Sequence, residues 1–230
     1  MNLLAIDTAT DRFSVALTVG KGEPSCNTDT WVFEADAGLR HSELVMDSID
    51  MLLKKAGIKP ENLSGVVCMG GPGSFTGLRI GFSTAKGLAL SLNIPFAAVP
   101  TLDCMAWPFS AWPGIVVPAL DAKKGAFFCA LYRNGTQIAP AMDAEPSEIA
   151  RILAEQPPNH LLIGPGAPLL HEKLASAGTA GLSLGKDLRW GNAETLLRIA
   201  HETGKPGTID FSSGPVYIRK SDAEIMLGNR

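Results

Sequence analysis

Histidine and cysteine are few and scattered in this 230-residue chain, and that scatter removes several chemistries at the outset. Cys26, Cys68, Cys104 and Cys129 form no Cys-x-x-Cys pair, and three of them sit inside apolar runs. Buried thiols in a reducing cytoplasm are expected from this, not disulfides or zinc ligands. No apolar run approaches the ~20 residues of a membrane helix. Met1-Asn2 leads straight into a strand-like run without a basic stretch, so neither a membrane span nor a signal peptide is expected. Lys54-Lys55, Lys123-Lys124 and Arg219-Lys220 are pairs rather than runs, and the net charge is −3. A protein that held nucleic acid alone would carry a stronger basic footprint. What is present, 46% hydrophobic and 19% charged residues, is the composition of a globular chain with a real core.

The most informative stretch runs from Gly70 to Asn93. A short apolar strand, Val66 to Met69, leads into Gly70-Gly71-Pro72-Gly73-Ser74-Phe75-Thr76-Gly77-Leu78-Arg79-Ile80-Gly81. Gly70, Gly71 and Gly73 can take positive φ, and Pro72 fixes its own. Ser74 or Thr76 is placed to cap a helix that ends near Asn93, before Ile94-Pro95. Two phosphate-binding patterns fail here. Leu78 stands where a P-loop needs lysine, and Thr76 stands where a dinucleotide loop needs its third glycine. A glycine turn before a helix N-terminus can still attract an anion through backbone N–H groups, with Gly71, Gly73, Ser74 and Thr76 as its members. A purely structural turn is the default reading.

The helix after the turn carries a stripe without bulk: Gly77, Gly81, Ala85 and Ala89. Leu78, Ile80, Phe82, Leu88, Leu90 and Leu92 spread apolar mass around most of the rest, and Arg79 and Lys86 are its only charges. A helix apolar nearly all round needs cover on more than one side. Either its own domain surrounds it, or it is shared with a partner subunit. Glycines inside a helix each cost roughly 1 kcal/mol against alanine, so something is expected to approach closely.

The rest of the chain reads as the same plan run twice. Leu3 to Ile6 is a buried strand ending at Asp7, Phe13 to Val19 alternates as a second strand, and Trp31 to Phe33 suggests a third. An amphipathic helix from about Leu39 to Ala56 follows, with Glu43 early, Lys54-Lys55 late and Gly57 as its C-cap. After the glycine turn and its helix, Phe96 to Val99 is a short strand. Ile115 to Leu120 is then an apolar strand ending at Asp121, Ala126 to Tyr132 is a second strand, and Asn134-Gly135 signals a hairpin into Thr136 to Ile138. Ser147 to Ala154, Leu161 to Ile163, the turn Gly164-Pro165-Gly166-Ala167 and Leu169 to Ala175 complete the second round. Ala193 to His201 is expected to be helical, and Gly214 to Arg219 extended. Two similar α/β lobes are expected, residues 1–100 and 101–230. This is the layout of the duplicated actin-like (ASKHA, ribonuclease H-like) two-lobed fold, in which strand-end acids such as Asp7 and Asp121 face a nucleotide cleft.

Four motifs resemble one family. They are Leu4-Ala5-Ile6-Asp7-Thr8-Ala9-Thr10, His41-Ser42-Glu43, the run Gly71 to Gly81, and Pro215-Val216-Tyr217-Ile218-Arg219. Together they are similar to the TsaB (YeaZ) family, and the Gly71–Gly81 run is highly specific to it. The resemblance implies an actin-like fold and a non-catalytic role beside TsaD. TsaD is the subunit that transfers a threonylcarbamoyl group to adenosine 37 of tRNAs reading codons that begin with A. It further implies TsaE, an ATPase, as a third member, tRNA met only through the complex, and a homodimer when TsaD is absent. The partner surface is expected on the first-lobe helices, at His41, Leu44, Val45, Ser48, Gly77, Leu78, Gly81, Phe82 and Ala85. No cofactor is required by this reading; ATP or ADP can bind in the complex, at Asp7, Thr8, Asp121 and the glycine turn.

TsaD holds a metal with a His-x-x-x-His pair on its first-lobe helix. Here His41 is followed by Val45, and His160, His171 and His201 are dispersed, so no metal site and no catalytic pair are expected. His41 then serves as a capping or interface residue. The family's Asp-Ala-Arg-x-x-Glu run reads Asp121-Ala122-Lys123-Lys124-Gly125-Ala126, so no role of that glutamate carries over. The competing reading is an ATP-dependent phosphotransferase of the same fold, with Asp7 and Asp121 as its working carboxylates.

Overall fold

The computed structural model describes residues 1–20, 28–185, 191–204 and 214–219. Cys26 and Lys220 lie outside them. The chain forms two compact units, residues 1–104 with 190–216, and residues 105–189 with 217–230. This differs from a single division at residue 100, because a late segment returns to the first unit.

The first unit opens with the antiparallel meander β1 (Leu3–Asp7), β2 (Arg12–Gly20) and β3 (Thr28–Asp36). Helix α1 (His41–Ala56) ends in Gly57 at φ 69°, whose N–H and that of Ile58 close back on Lys54 and Leu53. That is a glycine-capped helix end of the kind the sequence predicts. Strand β4 (Gly65–Met69) then enters the glycine turn, helix α2 (Phe75–Leu92) follows, and β5 (Phe96–Val99) closes the sheet in the order β3-β2-β1-β4-β5. β4 runs parallel to β1 and β5 parallel to β4. Asn93, at φ 52°, ends α2.

Strand alternation sorts the core. Leu4, Ile6, Phe13, Val15, Leu17, Val66 and Cys68 pack under α1 and α2, against Val45, Ile49, Leu52, Leu53, Phe82, Ala85 and Ala89. The opposite face carries Leu3, Ala5, Ala16 and Val67. It is covered by the late helix α6 (Ala193–Thr203), which packs on β1, β2 and β4 and so belongs to the first unit.

In the second unit β6 (Ile115–Asp121), β7 (Phe127–Arg133), β8 (Thr136–Ala144), β9 (His160–Ile163) and β10 (Leu182–Leu184) repeat that order, as β10-β9-β6-β7-β8. A helix that the sequence does not announce, α3 (Thr101–Ala106), precedes them. Helices α4 (Pro146–Ala154) and α5 (Ala167–Ser176) cover one face, burying Ile149, Leu153, Leu170 and Leu174 against Val117, Phe127, Cys129 and Leu162. The β7–β8 hairpin turns on Asn134 (φ 49°) and Gly135 (φ 73°), both left-handed as a two-residue hairpin demands. Strand β10, equally unannounced, is only three residues long and largely half-buried, too short to leave a periodic trace. Two five-stranded mixed sheets of identical order, each with helices, make this a duplicated actin-like, ribonuclease H-like α/β fold.

Candidate functional site

The β1–β2 turn, the glycine turn and the start of α2 meet in the first unit. The Thr8 hydroxyl donates to the Gly77 carbonyl at 2.7 Å. Ser74 N–H donates to the Ala9 carbonyl at 2.7 Å, and the Ser74 hydroxyl accepts from Gly77 N–H at 3.2 Å. Ser74, not Thr76, is therefore the N-cap of α2. Of the three glycines able to take positive φ, only Gly71 does, at 98°. Gly73 serves a different need. A Cβ on it would collide with the Ala9 carbonyl, and one on Gly71 with the Val216 carbonyl. The loop edge is closed by protein: Gly70 N–H reaches Val99 O, Thr101 N–H reaches Gly71 O, and Val216 N–H reaches Gly70 O. The turn is thus packed against backbone on several sides, the arrangement of a structural turn. Pro215 and Val216, from the late motif, belong to the first unit.

The small stripe on α2 has the same explanation. A Cβ on Gly77 would strike the Thr8 carbonyl, and one on Gly81 the Thr8 hydroxyl. The approach the helix glycines called for is that of β1's own end, so the expectation that the stripe meets a partner is corrected. Leu78, Phe82 and Ala85 are buried in the same unit, as are His41, Val45 and Ser48 on α1. Leu44 alone of the nine expected interface residues is half-exposed. His41 neither caps α1 nor faces outward. Its Nε2 donates to the Thr10 carbonyl at 2.8 Å, and its ring stands edge-on to Phe13.

Asp7 is fully buried, and its carboxylate is completely engaged. One oxygen accepts from Ala9 N–H at 3.0 Å; the other accepts from Asn192 N–H at 3.0 Å and from the Asn192 amide at 3.1 Å. Burial pushes its carboxyl above the ordinary range, and those hydrogen bonds oppose the shift. Ser14 accepts from Ala193 N–H at 3.0 Å, and Glu34, itself raised by burial, accepts from Gly191 N–H. Three neighbouring strands thus supply the acceptors for three successive donors at the start of α6. Asn192 is the site residue that the motifs do not reveal. An asparagine directly before a helical run is an N-cap signal, and that signal points to it.

Asp121, in the second unit, is exposed at a turn, where its carboxylate accepts from Lys123 N–H at 2.7 Å and meets the Lys123 ammonium at 3.3 Å. It closes a turn in which Lys123 (φ 61°), Lys124 (φ 56°) and Gly125 (φ 85°) are all left-handed. Ala126 is buried there, where a glutamate would have needed a partner. Gly166 N–H donates to Ala119 O, and a Cβ on Gly166 would crowd the end of β6, the same closeness seen between Gly73 and Ala9. Among the described residues no three His, Cys, Asp or Glu side chains gather as a metal site would need.

Outside the buried arcs, α1 presents Met46 (50% exposed) and Met51 (37%), and α2 presents Leu90 (59%). Leu39, on the turn before α1, is 96% exposed. Arg79 lies on the same outer side of α2, its guanidinium 3.8 Å from the centre of the Phe75 ring. Among the described residues no helix is long and apolar enough to cross a membrane.

Comparison with known proteins agrees with this fold. The family model described as TsaD, tRNA N6-adenosine threonylcarbamoyltransferase, matches residues 35–187. YeaZ from Pseudomonas aeruginosa superposes with a TM-score of 0.70 over 94% of this chain and 99% of its own, at 23% identity. The tRNA threonylcarbamoyladenosine biosynthesis protein TsaB of Escherichia coli is 34% identical over 58% of this chain and 56% of its own. The protein of the same name from Bacillus subtilis is 30% identical over 97% of this chain and 96% of its own length. With a likeness that spans nearly the whole of both chains, this chain belongs to the TsaB family.

Proposed function

We propose that the protein works in the biosynthesis of threonylcarbamoyladenosine in tRNA as a non-catalytic subunit that docks on a TsaD-type transferase. In that assembly, with TsaE as a third member, it supports threonylcarbamoyl transfer to adenosine 37 of tRNAs reading codons that begin with A. It meets tRNA only through the complex, and without TsaD two copies pair through the same helices. The names of its relatives support the pathway. The observation that carries the non-catalytic part is Asp7. The strand-end acid that a phosphotransferase of this fold would need is buried, with both oxygens engaged by Ala9 and Asn192. The chain itself requires no cofactor; ATP or ADP belongs to the assembled complex.

The docking surface is the solvent-facing side of α1 and α2. On α1, Leu44 and Met51 lie along one flank and Met46 along the other, with Glu43 and Asp47 between them, and α2 adds Leu90 and Arg79. Exposed methionine and leucine flanking charged residues suit an interface of mixed apolar and polar contacts. The test is to mix the purified protein with TsaD from the same cell and weigh the mixture by light scattering. A heterodimer at micromolar concentration is the expected result, and two non-interacting species would end the proposal.

A further inference from the structure

We infer that the β1–β2 turn, residues 7–10, is a hub that positions the α1–α2 docking surface from α6, with Asp7 as its central positioning residue. The inference rests on the reading of α1 and α2 as the partner-binding side. Four consecutive residues between them hold the starts of three helices of the first unit. Asp7 accepts from both donors of Asn192, at the start of α6. Thr8 donates to Gly77, in the first turn of α2, and its carbonyl fills the space a Cβ would take there. Ala9 connects both sides: its N–H donates to Asp7, and its carbonyl accepts from Ser74, the cap of α2. Thr10 accepts from His41, the first residue of α1. The α6 contact lies on one face of the first sheet and the α1 and α2 contacts on the other. The turn at the end of β1 is where they come within one or two hydrogen bonds of each other.

Asp7 suits this role through its acceptor count. Its three donors are all N–H groups, at 3.0 to 3.1 Å, and no water-facing surface remains to replace any of them. An asparagine in its place brings an NH2 against N–H donors and must turn or lose one partner. The strain then falls on Ala9 N–H, and through Ala9 on the Ser74 cap. A merely local cap for α6 would not carry it that far.

The experiment compares Asp7→Asn and Asn192→Ala, both in the full chain. The first readout is peptide-level amide exchange of the chain alone. Both variants are expected to speed exchange at residues 74–78 as well as in α6, Asp7→Asn more than Asn192→Ala, because only the former takes an acceptor from the backbone donors Ala9 N–H and Asn192 N–H. The second readout is affinity for TsaD well below the melting temperature. Both variants are expected to weaken it, Asp7→Asn about tenfold, within the usual range for coupling between sites. Faster exchange confined to α6, or affinity unchanged while the melting point falls, would overturn the hub. Should the unaltered chain fail to bind TsaD, the docking proposal fails, while the exchange readout still decides whether residues 7–10 couple α6 to α2.

Discussion

Thr8 and Gly77 are locked face to face: the threonine hydroxyl donates to the glycine carbonyl at 2.7 Å, and the threonine carbonyl occupies the space above the glycine Cα. The lock sets β1's end onto α2 and explains why a helix in the core tolerates glycine. It also separates the glycines of that helix into two kinds.

Gly77→Ala should destabilise the protein although alanine is the better helix former. The added methyl meets backbone rather than a movable side chain, so relief requires shifting β1 against α2, at a cost of about 1–3 kcal/mol. Gly87→Ala should do the opposite. Gly87 is exposed and helical, and a methyl added there would meet nothing within 4 Å. Removing its backbone freedom should add about 0.5–1 kcal/mol. Urea unfolding of the two variants side by side tests both signs.

Met46→Asp and Leu90→Asp should fold normally, since both side chains already face water. Each should weaken association with TsaD by about tenfold or more if it is an interface anchor. Calorimetric titration reads the loss, and circular dichroism confirms that the fold persists. Gly81→Leu should instead damage stability first, because its new side chain points at Thr8.

His160 should give the protein an acid-sensitive stability. It is 2% exposed on β9, its Nδ1 has no partner among the described residues, and burial lowers its pKa from 6.5. The folded state therefore binds this proton less readily than the unfolded state. The contribution is fully present above the unfolded value and is lost as pH falls from there through the lower folded value. His160→Val should flatten the decline in urea midpoint between about pH 7 and 5.

The thiols of Cys68, Cys104 and Cys129 should resist alkylation in the native protein and react on unfolding. All three are buried, and burial holds each in its protonated form, Cys129 up to about 12. Peptide mapping after a brief iodoacetamide pulse reads each thiol separately. Native-state labelling of Cys68 at the rate of a free thiol would show that the first sheet opens far more readily than its buried strands imply.

The repeat is legible in the sequence because each round carries its own punctuation. Asp7 and Asp121 end strands, Gly57 and Asn93 end helices, and Asn134-Gly135 makes the hairpin. Helix α3 and β10 are not legible, for six and three residues are too few for a period to emerge. The site is harder. Periodicity shows that Gly77, Gly81, Ala85 and Ala89 share a face, but not what that face meets. A small stripe reads alike whether the close neighbour is another subunit or the molecule's own Thr8, and only the placement of β1's end against α2 decides it. His41 misleads for a related reason. Its position at a helix start says cap, whereas its ring reaches back to Thr10, 31 residues earlier.

Helix α6 closes a sheet whose five strands all lie before residue 100. On the ribosome, β1 to β5 emerge together with α1 and α2, but the face bearing Leu3, Ala5, Ala16 and Val67 stays bare until residue 203 has been made. At about 5–20 residues per second, that delay lasts roughly 5–20 s. A nascent chain of this design should draw on ribosome-associated chaperones during that interval, and truncation before α6 should yield aggregates rather than a smaller stable protein.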